Sequence, residues 1–246
     1  MKYAVLVGIN NYQDGNNLMG CCNDVDNMQL FLLERGYDFP NITILKNKKA
    51  TKKAIVEALE AGVAELEAED ILTFHFSGHG SQVADTSGDE ADRKDELLCP
   101  HDMNWDGTYI TDDELSEIFS HVPHGCCAEI ILDCCHSGTG ARQFSMTKNI
   151  PSPANSVKAP CKQIKDAFRS ARGLTVVWAG SADSQTSADA FIAGSWQGAF
   201  TYTWLKTVKK YPKTSRQEIL DEVKYQLNAN NFSQVPQLEV ATGGKR

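Results

Sequence analysis

No apolar run in this 246-residue chain approaches a membrane span, which needs about 20 consecutive apolar residues. A surplus of basic charge is also missing. With 24 Lys and Arg against 32 Asp and Glu, the formal net charge is −8. That balance argues against nonspecific nucleic-acid binding and favours cationic partners or divalent metals. There is no Cys-x-x-Cys pair to hold zinc. Eight cysteines are present, but six fall in three adjacent pairs, Cys21-Cys22, Cys126-Cys127 and Cys134-Cys135, a poor disulfide framework. Reduced thiols in a cytoplasmic protein are the simpler reading. The N-terminal MKYAVLVGIN has no small-residue cleavage site, so it reads as a first strand and not as a signal peptide. Internal repeats and low-complexity segments are absent too. What remains is an ordinary globular composition, 41% hydrophobic and 23% charged, in a chain long enough to bury a sizeable core.

The apolar pattern alternates between strands and helices. Residues 3–8 read as a buried strand, and residues 24–35 as an amphipathic helix with Val25, Met28, Phe31 and Leu32 at helical spacing. Residues 42–45 form a second strand. Thr51 suits the N-cap of a helix whose stripe is Ile55, Val56, Leu59, Val63 and Leu66. A third strand, residues 71–76, runs into Ser77, Gly78, His79 and Gly80. Residues 81–96 read as a long acidic loop, residues 97–100 as a short extended piece, and Thr111 to Phe119 as a helix. Ile130, Ile131 and Leu132 mark a strand buried on both faces. Residues 141–173 lose the pattern, carry Pro151, Pro153, Pro160 and seven basic residues, and read as a mobile linker. Residues 174–179 make another strand, 197–209 and 215–227 two helices, and 235–240 a final strand. This alternation predicts one doubly wound α/β domain, with a part before the linker at 1–140 and a part after it at 174–246. The strand order is open.

Two strands end in reactive side chains, as the carboxyl edge of a parallel sheet does at its sites. One ends in SGHG with His79, the other in DCCHSG. Asp133 and Cys135 are two apart and point the same way in extended chain, while Cys134 points the other way. Cys135 is therefore the candidate nucleophile and His79 its base. Glycines beside both permit sharp turns, and backbone N–H groups near Gly80 and Cys135 suit an oxyanion hole. His136 is adjacent to the nucleophile and its ring points elsewhere; His75 lies inside a buried strand and reads as structural.

These motifs resemble those of the metacaspases and bacterial caspase-like proteases. GINNY, NDVDNM, SGHGSQVADTSGDEAD, DELLCPHD, TDDEL, LDCCHSG and QTSADAFIAGSWQGAFT carry the resemblance over almost the whole chain. It implies a caspase-like α/β/α sandwich with a central, mostly parallel sheet of about six strands. It also implies a cysteine endopeptidase that uses His79 and Cys135 and cuts after Arg or Lys. Asp133 suits a cationic side chain, and the family match adds Asp24 and Ser77 to that pocket. Asp24 suits a helix N-cap equally well, and Ser77 a turn. Asp189 and Trp196 lie in a segment that would wall the pocket or simply pack. Calcium as activator follows from the resemblance, with Asp95, Asp112 and Asp113 as ligands, although Arg142 stands where a further ligand falls. No organic cofactor is implied. Self-cleavage in the basic linker, no recruitment module before the first strand, and a monomer that takes protein or peptide substrates complete the expectation.

Three rivals are weaker. Asp102, Asn104, Asp106, Gly107 and Asp113 fit a loosened EF-hand loop, but a strand precedes it where a helix is required. Cys135 and Arg142 are separated by six residues, one more than a cysteine phosphatase loop has. A catalytically silent caspase-like scaffold that binds partner proteins is the remaining alternative.

Overall fold

Lys2–Gly8 forms strand β1, and its last five residues are buried in the middle of the molecule. The computed structural model describes residues 1–84, 94–134, 145–152, 171–182 and 185–242, with Ala84, Lys94 and Asp95 in backbone only. After β1 come α1 (Cys21–Glu34), β2 (Ile42–Lys46), α2 (Lys52–Ala64), β3 (Ile71–Ser77), β4 (Gly80–Ala84), β5 (Lys94–Leu98), β6 (Ile110–Thr111) and α3 (Asp112–Ser120). Then follow β7 (Cys127–Asp133), β8 (Ser145–Thr147), β9 (Leu174–Ala179), β10 (Ala188–Ile192), β11 (Ser195–Gly198), α4 (Ala199–Lys210), α5 (Arg216–Ala229) and β12 (Gln237–Thr242).

The main sheet has six strands in the order β12-β9-β7-β3-β1-β2. All neighbours are parallel except β12, which runs antiparallel to β9. Alternation along each strand sorts the side chains into two cores. Val5, Val7, Leu72, Phe74, Phe76, Ile130 and Leu132 face α2 and α3. Ala4, Leu6, Ile131, Val176 and Trp178 face α1, α4 and α5. Each fully buried Leu, Ile or Phe contributes about 1.5–3 kcal/mol, so these two faces hold the layers together. The expected α/β/α sandwich with a mostly parallel sheet is what the chain forms. Helix starts follow the local chemistry. Thr51 caps α2 by accepting from the Ala54 N–H, and Thr111 and Ser215 open α3 and α5 with capping boxes.

Four differences from the sequence expectation matter for the site. Helix α1 begins at Cys21 with Gly20 as its N-cap, so Asp24 lies inside the helix and is not a cap. The expected acidic loop contains β4 and β5, paired as a hairpin, and β5 also pairs with β6. β10 and β11 form an unforeseen hairpin, closed by Ala193 and Gly194 at φ 53 and 88. Two positive φ values make the two-residue turn that matches strand twist, and an Ala in that region hides it from a reading of glycines. Finally, the unpatterned linker contributes β8, which pairs antiparallel with β10.

Candidate active site

The register of the sheet lines up Gly8, Ser77 and Asp133 along its carboxyl edge. Helix α1 packs directly on Gly8. A Cβ there would sit 2.5 Å from the Cys21 carbonyl oxygen and 2.7 Å from Val25 Cγ2. That close approach carries Asp24 over the sheet edge, where it is 1% exposed. The Asp24 carboxylate accepts from Ser77 Oγ at 2.6 Å and from the Gly198 N–H at 2.9 and 3.0 Å. Asp133 is fully buried and accepts from Ser187 Oγ at 2.6 Å and from the Thr201 N–H and Oγ1 at 3.0 and 2.7 Å. The three residues expected to hold a cationic side chain are thus brought together.

They already hold one. Lys148, just past β8, is completely buried. Its Nζ lies 2.8 Å from Ser77 Oγ, 3.3 Å from Asp24 Oδ2 and 3.2 Å from Asp133 Oδ2. The ammonium donates to Ser77 and Asp24, and Asp133 adds an ion pair. Burial works to lower the Lys148 pKa, but Asp133, then Cys21, Asp24 and Asp189, outweigh it and hold the ammonium well above its ordinary value. Burial pushes the Asp24 carboxyl up to about 6, with Lys148 pulling it down and Asp133 pushing it further up. Burial opposes the Asp133 charge too, yet Lys148 and the bonds from Ser187 and Thr201 win and hold that carboxyl below the usual range. Gly198 leaves the space for the cation. A Cβ there would fall 2.1 Å from Asp133 Oδ2 and 2.5 Å from Lys148 Nζ. Asp189 lies close by, fully buried, and accepts from the Met19 and Gly20 N–H groups at 2.6 and 3.1 Å. It pins the loop before α1 and adds a third carboxylate. Trp196 stacks edge-on with Phe191 instead of lining the cation.

His79 follows β3 and is 4% exposed. Its Nε2 is 2.8 Å from the Asn16 carbonyl oxygen. A carbonyl only accepts, so Nε2 carries the proton and Nδ1 the lone pair. Nδ1 is buried and finds no hydrogen-bond partner among the described residues. Burial lowers the His79 pKa to about 4, so the ring is neutral near pH 7 and its lone pair is available. Tyr12 fixes the ring from beside it, with centroids 4.7 Å apart, and its hydroxyl accepts the His79 backbone N–H at 2.8 Å. Gly78 leaves room for that hydroxyl, which a Cβ would meet at 2.7 Å. His75 faces Thr201 Oγ1 at 3.3 Å and is lowered to about 3 by burial, as a structural core histidine should be. Cys135, His136 and Arg142 lie outside the described residues. Their neighbour Cys134 is buried in the first core while Asp133 turns into the acid pocket, which is the alternation expected of an extended chain.

The main chain around Lys148 is held as well. Met146 pairs with Asp189, and the Lys148 N–H donates to the Ser187 carbonyl oxygen at 3.1 Å. The Lys148 carbonyl oxygen accepts from the Gly80 N–H at 3.1 Å, and the Ile150 N–H donates to the Gly80 carbonyl oxygen at 3.1 Å. An extended segment is therefore laid along a sheet edge. Its basic side chain lies in the acid pocket, and its carbonyl lies on the N–H of the residue after His79.

Comparison with known proteins identifies the family. A family model described as metacaspase, peptidase C14 domain, matches residues 2–142. Metacaspase-1 of Mycosarcoma maydis is 33% identical, with 96% of this chain and 69% of that protein aligned. This chain belongs to the metacaspase family. Metacaspase-1B of Aspergillus fumigatus is 32% identical over the same shares, 96% and 69%. Among solved structures, a Geobacter sulfurreducens protein matches with TM-score 0.76 at 24% identity, covering 99% of this chain and 94% of that one. Caspase-1 of Spodoptera frugiperda matches with TM-score 0.62 at 15% identity, covering 100% and 90%. At such identities the structural likeness speaks for the fold. The metacaspases are cysteine peptidases, and this chain is a member by sequence over most of its length.

The three residues expected to bind calcium lie on two elements, Asp95 on β5 and Asp112 and Asp113 on α3. Asp112 is buried in the first turn of α3, with Asp113 next to it. Asp95 pairs with Val83 of β4, and two residues further along β5 Leu97 stands opposite Thr111, the residue before that helix. The Asp95 side chain is not among those described, and no three His, Cys, Asp or Glu among the described residues form a metal cluster. The EF-hand-like run is used otherwise. Asp102 accepts the Lys52 N–H at 2.9 Å at the start of α2, and Asn104 accepts from Asp106 and Thr108 in a turn. Strand β5 precedes it, as expected, and not a helix. Among the described residues no helix is long and apolar enough to cross a membrane.

Sequence reasoning missed Lys148, Gly198, Ser187, Thr201, Asn16 and Tyr12. Tyr12 lies in the GINNY motif, and Ser187, Gly198 and Thr201 lie in QTSADAFIAGSWQGAFT, but nothing in those motifs tells which of their residues face the pocket. Lys148 was one of seven linker cations, and Asn16 contributes only its carbonyl.

Proposed function

We propose that this metacaspase is an endopeptidase that cuts after Lys or Arg and processes itself at the Lys148–Asn149 bond. The observation that carries the reading is Lys148 itself: a basic side chain held between two buried carboxylates, just past a strand added to β10, with its carbonyl on the Gly80 N–H. Strand addition with one buried side chain is a common way for a protein to hold a peptide. Asp24, Ser77 and Asp133 hold the side chain before the cut, with Asp189 adding charge. His79 Nδ1 takes the Cys135 thiol proton, and the thiolate sulfur attacks the Lys148 carbonyl carbon. The Gly80 N–H stabilises the oxygen as it gains negative charge. His79 then protonates the leaving Asn149 amine as the C–N bond breaks. Water, deprotonated by His79, attacks the acyl-enzyme and releases the new carboxylate and the thiolate.

Calcium is part of the proposal as an activator, held by Asp95, Asp112 and Asp113 where the hairpin of β4 and β5 meets α3. The enzyme acts as a monomer.

The test is hydrolysis of matched fluorogenic peptides ending in Arg, Lys or Asp, with calcium and with chelator, for wild type and Cys135→Ala. Mass spectrometry of the incubated protein reads the self-cleavage site. The expected result is cleavage after Arg and Lys, a new N-terminus at Asn149, and loss of both with Cys135→Ala. Cleavage after Asp, or the same fragments from Cys135→Ala, overturns the reading. Light scattering checks the monomer.

A further inference from the structure

In the segment 145–150 only two side chains are buried, Lys148 and Ile150, at 0% and 4% exposure. They are two residues apart, so an extended chain turns both toward the protein while Asn149 between them stays partly open. Met146, two residues before Lys148, is 38% exposed. Ile150 is a member of the apolar cluster that contains Tyr12, Leu97, Leu98, Cys99 and Cys134. Its main chain is clamped on both sides. The N–H donates to the Gly80 carbonyl oxygen at 3.1 Å, and the carbonyl oxygen accepts from Ser81 Oγ at 2.5 Å. Gly80 thus serves both sides of the Lys148–Asn149 bond, giving its N–H to one and its carbonyl to the other.

We infer that this metacaspase reads its substrates at a second position: an aliphatic residue two places after the cut occupies the pocket that holds Ile150, with Gly80 and Ser81 aligning the chain. The substrate class is then a peptide with Lys or Arg, any residue, and Ile, Val or Leu. This rests on the reading of 145–150 as a substrate segment bound in its own site. The physical case is the balance of terms. The acid pocket recognises one cation, and any basic residue in an exposed loop meets that demand. An apolar pocket two residues on adds burial of three or four carbons, each of which favours binding as it leaves water. It also sets the direction and register of the chain across the reacting bond.

The experiment uses the full-length, self-processed enzyme and internally quenched peptides based on the sequence of residues 145–152. One series keeps Lys before the cut and places Ile, Ala or Asp at the second position after it. A second series replaces the residue equivalent to the exposed Met146 by Asp. A control places Asp before the cut. The expected result is that kcat/KM falls on the order of tenfold or more from Ile to Ala and further to Asp, while the Met146-equivalent change stays within about twofold. Equal cleavage of the Ile, Ala and Asp peptides overturns the inference and leaves the Lys and Arg reading standing. That result would also follow if Ile150 stayed in place after the cut and plugged its own pocket, and it overturns the inference in that case too. If the Asp control is cut, or no Lys peptide is, the underlying reading fails instead. In the intact chain, Ile150→Asp is expected to slow self-cleavage at Lys148 at least tenfold with the far-UV spectrum unchanged, and an unaltered rate counts against the second pocket.

Discussion

Removing the Lys148 side chain should leave an acid pocket with nothing to balance it. The variant is Lys148→Ala in a Cys135→Ala background, so that no self-cleavage confuses the measurement. In the parent, Lys148 Nζ lies 3.3 Å from Asp24 and 3.2 Å from Asp133, and both carboxylates are essentially inaccessible to solvent. Breaking a buried pair from one side costs about 3–5 kcal/mol, because the remaining charge is uncompensated. In a domain of this size 1 kcal/mol moves Tm by roughly 2–4 °C, so the midpoint should fall by about 10 °C. A small guanidinium or alkylammonium compound should restore much of the loss. At a hundred times its Kd it returns about 2.7 kcal/mol. The parent should show no such shift, since Lys148 fills the pocket, and a neutral alcohol of the same length should rescue neither. Lowering the pH should narrow the gap between variant and parent, because Asp24 and Asp133 without the ammonium take up protons more readily. A loss below about 1 kcal/mol, or equal rescue by the alcohol, would refute the claim that the pocket is built for a cation.

The remaining expectations follow from single contacts. Gly198→Ala places a methyl 2.1 Å from Asp133 Oδ2 and 2.5 Å from Lys148 Nζ; self-cleavage and Lys-peptide hydrolysis should both be lost, with cysteine alkylation at Cys135 retained, and normal turnover would mean that the cation binds elsewhere. With Asp24 raised to about 6 while an ammonium fills the pocket, kcat on Lys peptides, which reports the occupied pocket, should fall as pH drops through that value, and Asp24→Asn should lower activity at every pH and abolish the limb; His79, lowered to about 4, stays neutral over that range and does not cause it. The two buried histidines bear on stability on the same acid side. His75 and His79 sit below the ordinary value in the folded chain, the unfolded chain binds more protons, and their contribution is lost as pH falls from about 6.5 toward 4, which urea titrations at several pH values would read. Tyr12→Phe leaves the buried His79 backbone N–H without its acceptor and should cost about 1–3 kcal/mol in urea unfolding, with the Lys and Arg preference unchanged.

Much of the architecture was written locally. The runs at residues 3–8, 71–76, 130–132 and 174–179 are apolar on both faces, and only an interior parallel sheet covered by helices satisfies them. Thr51, Thr111 and Ser215 announced their helices because a cap is a contact across three residues. His79 and Asp133 were legible because polar residues that end apolar strands lie at the sheet's edge, whereas Ser77 joined the pocket only through the family resemblance. The β10–β11 hairpin escaped because its turn uses Ala193 at positive φ, and β4 and β5 escaped because an acidic run was taken for a loop. The start of α1 was set by the space over Gly8 and not by a capping side chain, so of the two places open to Asp24, pocket and helix cap, the fold uses the pocket.

What the sequence by itself determined is the α/β order, the two cores and the family of the chain, because each depends on periodicity or on motifs a few residues long. What only the tertiary structure decided is who occupies the acid pocket. Lys148 is 124 residues from Asp24 and 71 from Ser77, and it looks like every other lysine in its segment. Its selection depends on the pairing of β8 with β10 and on the missing side chain at Gly198. Those are long-range steric facts, set by which strands meet and in what register, and no local pattern of residues encodes them.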